Sequence, residues 1–203
     1  ITAVLADGTA QAESFSVKAR RPLKIQPMLC GQDTSLEEAV GMLLNSIRQG
    51  AKTAALIVNT VSRAQKAMAA ASQLLESREI EVSLFHARLT IEDRQTVESK
   101  VLMEFGKEAP RDRPRLLIAT QVVEQSLDLD FDLMVSDLAP VDLLIQRAGR
   151  LHRHTRDANC ALQPPGVPDQ RPDPVLHVIL ESSGDRDLGP VKAIVYSAAV
   201  LRE

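Results

Sequence analysis

The sequence is poor in aromatic residues: 203 positions hold no Trp, one Tyr and four Phe. A binding surface built mainly on stacked rings is therefore excluded. Cysteine is scarce as well. Cys30 and Cys160 stand far apart and form no Cys-x-x-Cys pair, which fits free thiols in a reducing compartment. No apolar run reaches the length of a membrane span and no signal-peptide pattern opens the chain, so no membrane partner is expected. Charge of one sign is also lacking. The net charge is −3, so contact with nucleic acid must come from a local patch and not from a global field. The remainder, 44% hydrophobic and 25% charged, is the balance of a soluble globular domain. The chain begins at Ile1 without Met and ends at Leu201-Arg202-Glu203 with no stop signal, and reads as a piece of a longer protein.

Several ligand motifs are missing too. Gly50-Ala51-Lys52-Thr53 fails as a phosphate loop, because Gly and Lys are not adjacent and the run precedes a strand. No other glycine loop of that type exists, and no Asp-Glu-x-Asp/His box. The groups that cradle a triphosphate and hold Mg²⁺ are absent. Asp128, Asp130 and Asp132 alternate as in a calcium loop, but Leu133 and Ala139 stand where that loop needs Gly and Glu. His152, His154 and Cys160 match no metal-site spacing, so no metal site is expected.

What is present is an alternation of apolar runs. Residues 1–29 read as a β-rich extension, with Ile1 to Leu5 and Glu13 to Val17 flanking the turn pair Asp7-Gly8, then a short strand from Leu23 to Met28. A helix begins at Thr34-Ser35, with Ser35 and Glu38 as a capping box, and ends at Gly50. Ala54 to Val58 suits a buried parallel strand. Helices and strands then alternate, the strands at Ile80 to Phe85, Leu116 to Ala119 and Asp132 to Ser136, with a short helix over Val122 to Ser126 before the last. The order predicts an α/β fold, an open, mostly parallel sheet with helices on both faces and an N-terminal β-hairpin extension. The core spans 30–153. Residues 154–174, rich in Pro, Asp, Gln and Arg, read as a mobile loop. Residues 175–203 supply a closing strand and a last helix from Pro190 to Leu201. Polar residues fall where the strands end, at Asn59-Thr60, His86-Ala87-Arg88, Thr120 and Asp137, which marks that edge as the working face.

The densest chemistry lies from Asp137 to Arg153. Pro140 suits a first helical turn, and Val141, Leu144 and Ile145 make an apolar stripe. Gln146, Arg150 and Arg153 follow at i, i+4 and i+7 on one helical face, and Gly149 opens the backbone between them. Guanidinium groups gathered this way suit phosphate oxygens, although a solvated basic helix end is the plainer explanation of arginines alone. Thr120, after a buried strand, suits either a phosphate contact or an ordinary N-cap.

The Gln-Arg-x-Gly-Arg-x-x-Arg spacing resembles the sixth motif of superfamily 2 helicases. Further runs share one resemblance: Leu56-Ile57-Val58-Asn59-Thr60-Val61, Phe85 to Leu89 with Glu92-Asp93-Arg94, Ala119 to Asp128, and Asp137 to His154. They resemble the second RecA-like domain of the CRISPR-associated helicase–nucleases of type I interference systems, over roughly Thr34 to His154. The resemblance implies ATP-dependent translocation on single-stranded DNA in a prokaryotic cytoplasm, with recruitment by an RNA-guided surveillance complex. It implies that Arg150 and Arg153 are arginine fingers and that Gln146 positions the γ-phosphate or attacking water. Ser126 and Asp128 would lie near the ribose. Thr60, Arg88 and Thr120 would hold DNA phosphates, with Asn59 and His86 nearby. ATP and Mg²⁺ would be held mainly by a first RecA-like domain, which this chain lacks, as it lacks the nuclease domain. The isolated chain is then expected to be inactive and to bind nucleotide weakly. The alternatives are a half-domain of another superfamily 2 DNA or RNA helicase, and a non-catalytic interaction domain.

Overall fold

The computed structural model describes residues 2–4, 10–12, 23–31, 33–75, 79–88, 91–124, 127–164 and 166–182. In chain order, β1 (Thr2–Val4) and β2 (Ala10–Ala12) precede β3 (Lys24–Gly31), α1 (Ser35–Arg48), β4 (Thr53–Ile57) and α2 (Val61–Leu74). Then come β5 (Glu81–Phe85), α3 (Ile91–Phe105), β6 (Arg115–Ala119), a 3-10 turn (Gln121–Glu124), β7 (Leu133–Asp137), α4 (Val141–Ala148) and β8 (Val175–Ser182). β1 and β2 pair antiparallel, Thr2 opposite Ala12 and Val4 opposite Ala10. The second strand of this pair, Ala10–Ala12, differs from the expected Glu13 to Val17, and the turn pair Asp7-Gly8 lies outside the described residues.

The other six strands form one sheet in the order β3-β8-β7-β4-β6-β5, every pair parallel. β4 and β6 are buried at every position, which their unbroken apolar runs anticipate. Alternate residues feed opposite faces. Ala54, Leu56 and Val58 pack with Val40, Leu43 and Leu44 of α1 and Ala64, Ala67 and Ala71 of α2. Ala55 and Ile57 pack on the other face with Val101 and Phe105 of α3 and with Ala148 of α4. Small residues along α2 let it lie close to the sheet. At Gly106 an added Cβ would meet the Leu102 carbonyl oxygen at 2.4 Å, so the turn out of α3 needs glycine.

Four expectations are corrected. β3 is an edge strand of the main sheet, aligned with β8 from Lys24–Val175 to Gly31–Ser182, so a boundary between residues 29 and 30 cuts a strand. The Ser35–Glu38 capping box does not form. Thr34 bonds Glu38, and the Ser35 hydroxyl instead donates to Glu181 Oε1 at 2.8 Å, tying α1 to β8. The apolar stripe of α4 is split: Leu144 packs half-buried against the core, but Val141 and Ile145 are 69% and 66% exposed, while the helix buries Arg147 and Ala148. Finally, the segment 154–174 is irregular but anchored. Arg156 and Arg171 are buried at 1% and 3% exposure. Arg156 Nε donates to Asp130 Oδ2 at 2.5 Å, and Arg171 Nη1 donates to Asp132 Oδ1 at 2.8 Å. Asp132 Oδ2 in turn accepts from the Lys52 and Thr53 amides, both at 2.9 Å. The loop is therefore riveted to the amino-terminal edge of the sheet, an outcome hidden from composition because arginine and aspartate ordinarily signal solvent. The expected helix from Pro190 to Leu201 lies outside the described residues.

Candidate functional site

At the carboxyl edge, β4, β6 and β7 end side by side, as the strand order requires, and their polar ends are knitted together. Asp137, closing β7, accepts from the Asn59 amide at 2.9 Å and receives Arg63 Nε and Nη2 at 2.9 and 2.8 Å. Arg63 also reaches Glu181 at 2.9 Å. Burial works against the Arg63 charge, but the two carboxylates outweigh it and hold the guanidinium more firmly protonated than in water. The Asn59 side chain donates to the Leu138 carbonyl at 2.8 Å and accepts from Arg147 Nη2 at 3.3 Å, while its backbone carbonyl accepts from Gln121 at 2.8 Å.

Arg147, with no exposure at all, is the hub. Its Nε donates to Glu124 Oε1 at 2.7 Å and its Nη1 to the Ser136 hydroxyl at 2.8 Å and the Asp137 carbonyl at 3.2 Å. It links the turn after β6, the end of β7 and the end of β4. Arg147, Arg63 and Glu124 were not anticipated. The available signal was position: Arg147 falls beside Ala148 on the inward side of α4, where a charge must find partners.

Gln146, Arg150 and Arg153 do not share one continuous helical face, because α4 ends at Ala148 and Gly149–Arg150 form a turn. Gln146 is exposed. Arg150 is 8% exposed and donates from Nη1 to the Gln146 carbonyl at 2.7 Å and from Nη2 to the Glu124 carbonyl at 3.0 Å. Its pKa is lowered, first by burial and then by the neighbouring Arg153 cation. Arg153, 41% exposed, donates from Nε to Asp128 Oδ1 at 2.5 Å, and His154 Nε2 lies 2.9 Å from the same oxygen. Burial alone would raise the Asp128 carboxyl, but His154 and Arg153 outweigh it and hold it below its usual range. The two arginines and Asp128 are thus brought together along the flank between the 3-10 turn and α4. Ser126 lies outside the described residues. An added Cβ at Gly149 would meet only the Gln146 and Ile145 carbonyls, at 3.4 and 3.5 Å, so the backbone there is open.

The residues expected at DNA divide. Arg88 is exposed and His86 half-buried, both just past β5. Thr60 caps α2, accepting the Arg63 amide at 3.2 Å, and keeps partial exposure. Thr120 is 2% exposed, and its hydroxyl, like His86 Nδ1, has no partner among the described residues. Asn59 is 4% exposed, and both ends of its side-chain amide are engaged inside the domain. No group of three His, Cys, Asp or Glu among the described residues could hold a metal ion.

The comparisons with known proteins converge. The family model described as the C-terminal part of the CRISPR-associated nuclease/helicase Cas3 matches residues 50–156. The Cas3 endonuclease/helicase of Escherichia coli K12 is 48% identical over 101 residues, covering 50% of this chain and 11% of that protein. The Thermus thermophilus Cas3 endonuclease/helicase is 61% identical over 75 residues, covering 37% of this chain and 8% of that one. The crystal structure of T. fusca Cas3 with AMPPNP superposes with a TM-score of 0.79 at 31% identity, over 96% of this chain and 23% of that chain. A chain from a CRISPR RNA-guided surveillance complex in a pre-nicking state superposes with a TM-score of 0.69 at 33% identity, over 92% of this chain and 22% of that one. The matched segments thus span about a tenth of these two relatives, and the chain covers less than a quarter of the solved structures it superposes on. With a matched model over more than half its length and a shared six-stranded parallel sheet, the chain belongs to the Cas3 family, as its C-terminal, RecA-like helicase region.

Proposed function

We propose that this chain is the second motor domain of an ATP-dependent single-stranded DNA translocase in CRISPR interference, and that Arg150, Arg153 and Gln146 act on the γ-phosphate of ATP. The observation that carries the reading is the Arg150–Arg153 pair. Two guanidinium groups sit close enough to repel; Glu124 and Asp128 both offset the Arg150 charge, and the half-exposed Asp128 is the carboxylate that pairs with Arg153. An exposed ion pair of that kind contributes at most about 1 kcal/mol. A triphosphate offers more charge and more acceptor oxygens, so Arg153 can exchange Asp128 for it at little cost. Asp128, once released, stands beside the nucleotide, consistent with a ribose contact.

Bound ATP supplies the phosphoryl group, and its Mg²⁺ and phosphate cradle belong to a first RecA-like domain of the same parent protein. This chain's part is to neutralise charge on the transferring group with two preformed cations. Val141 and Ile145, exposed beside Gln146, suit a wall that another domain covers. Thr60, His86, Arg88 and Thr120 lie on the carboxyl edge and are the proposed contacts to the DNA backbone, a sequence-independent grip that a translocase requires. The similarity to nuclease/helicase relatives, one of them in a surveillance complex, supports two further partners: that complex and the parent's own nuclease domain.

The test is an ATPase assay on the full-length parent with and without single-stranded DNA. Arg153→Ala is expected to cut the stimulated rate by about 10³-fold, the scale of an arginine finger, with the fold intact. Unchanged turnover would leave an interaction domain as the better account. The isolated chain is expected to show no helicase-like ATP turnover.

A further inference from the structure

Arg150 and Arg153 are held by different means. Arg153 lies along an exposed flank, against the Asp128 carboxylate. Arg150 is buried, and its guanidinium is aimed by two main-chain carbonyls: Gln146 accepts from Nη1 at 2.7 Å and Glu124 from Nη2 at 3.0 Å. A long side chain pivots about one acceptor. Two acceptors on different nitrogens of a planar fork fix its direction as well as its place. The two carbonyls come from different elements. Gln146 belongs to α4, while Glu124 closes the 3-10 turn Gln121–Glu124 after β6. A 3-10 turn has poorer hydrogen-bond geometry than an α-helix, so its last carbonyl needs another hold.

The Glu124 side chain supplies it. Its Oε1 accepts from Arg147 Nε and pairs with Arg147 Nη2, both at 2.7 Å, with the carboxylate side chain 10% exposed. Arg147 is fixed in turn by the Ser136 hydroxyl, the Asp137 carbonyl and the Asn59 side chain. Constraint therefore runs from the ends of β4 and β7, through Arg147, to the Glu124 carboxylate and then to the Glu124 carbonyl. The main chain of Arg150 is fixed separately. Its amide donates to the Arg147 carbonyl at 3.0 Å, and its carbonyl accepts the Phe131 amide at 2.9 Å. What Glu124 governs is thus the direction of the Arg150 side chain. Its negative charge also lies near enough to offset part of the Arg150 cation.

On the motor reading proposed above, we infer that Glu124 is the positioning residue for Arg150, clamped by Arg147 so that its carbonyl aims the guanidinium at the transferring phosphoryl group. Glu124 itself touches no nucleotide. It acts by keeping a neighbour in reactive geometry, where a misplacement of about 1 Å costs up to about 10²-fold in rate.

The test is a double-mutant cycle in the full-length parent with single-stranded DNA, reading kcat, KM for ATP and the thermal midpoint. Glu124→Gln keeps an acceptor oxygen for Arg147 but weakens that bond by about half. It is expected to lower kcat by at least about tenfold and to leave KM within about twofold, as for a contact that counts in the transition state. In an Arg150→Ala background the same change should alter kcat by less than about twofold, because the group it positions is gone. A merely structural role would lower the midpoint and leave the two effects multiplying. Since Glu124→Gln strands a buried charge and can misfold, Glu124→Leu combined with Arg147→Met is run beside it. Removing both charges together is often close to neutral for stability, yet this pair should lower kcat as Glu124→Gln does. If Arg150→Ala leaves turnover unchanged, the motor reading fails and the positioning role fails with it. If Arg150→Ala slows turnover while Glu124→Gln is silent or multiplies with it, or while the charge-free pair keeps the parent kcat, the positioning role alone is overturned.

Discussion

Arg147 Nε meets Glu124 Oε1 at 2.7 Å with the guanidinium wholly buried, so a charge pair joins Leu144 and Ala148 in seating α4 on the sheet. Removing one partner of such a pair leaves the other charge uncompensated, at a cost of about 3–5 kcal/mol. Arg147→Met should therefore destabilise the chain by that order in urea denaturation. Arg147→Lys should recover little, because one ammonium cannot reach Glu124, Ser136, Asp137 and Asn59 together. A loss under about 1 kcal/mol in Arg147→Met would mean the hub is ornamental.

Asp128 and Arg153 should behave in the opposite way. Both side chains are more than 40% exposed, at 46% and 41%. Asp128→Asn should change stability by no more than about 1 kcal/mol. In the full-length parent it should alter the KM for ATP more than kcat, since Asp128 holds Arg153 in the resting state and lies near the ribose in the proposed complex. Arg153→Ala should lower kcat. If both variants only lowered stability, the flank would be scaffold.

Asp132 supplies a pH signature. Burial pushes its carboxyl up, but hydrogen bonds from Arg171 and the Thr53 amide, with the Arg171 and Arg111 cations, hold it below its usual value of 3.8. The unfolded chain therefore binds its proton at higher pH than the folded chain does. The stabilisation is fully present above about pH 4 and is lost as pH falls through the depressed folded value. Asp132→Asn should be less stable at neutral pH and show a flatter acid limb, read as denaturation midpoints from about pH 6 down to about pH 3. Parallel curves for the two proteins would remove Asp132 from the acid response.

The parallel sheet was legible because β4 and β6 are apolar at consecutive positions, a pattern that only strands covered on both faces produce. The carboxyl edge was legible because Asn59, Thr120 and Asp137 directly follow such runs. Buried charge was not. Arg147, Arg156 and Arg171 look like solvated residues in a linear string, and their partners Glu124, Asp130 and Asp132 stand 23, 26 and 39 residues away. For the same reason the buried side of α4 is only partly legible: Leu144 packs inward, but Val141 and Ile145, more apolar than Arg147, are the exposed ones. Asn59 shows the converse: its polarity was visible, but not that Arg147 and Leu138 would consume it.

The anchored loop carries the last prediction. Arg171 Nη2 donates to Asp169 Oδ2 at 2.7 Å and to the His154 carbonyl at 2.5 Å, while Nη1 holds Asp132. One side chain thus ties the loop's start, its end and the sheet. Arg171→Ala removes all three ties but leaves Arg156 on Asp130, so the sheet should stay folded while 157–170 loosens. Limited proteolysis should then cut within that stretch at a rate at least about tenfold above the parent chain, because cleavage follows the population of the opened form. The Asp132 carboxylate, left with its two amide donors but without the Arg171 cation, should also return toward an ordinary value. The acid limb of Arg171→Ala should therefore resemble that of Asp132→Asn. Proteolysis unchanged, with the acid limb unchanged, would show that the loop is held elsewhere.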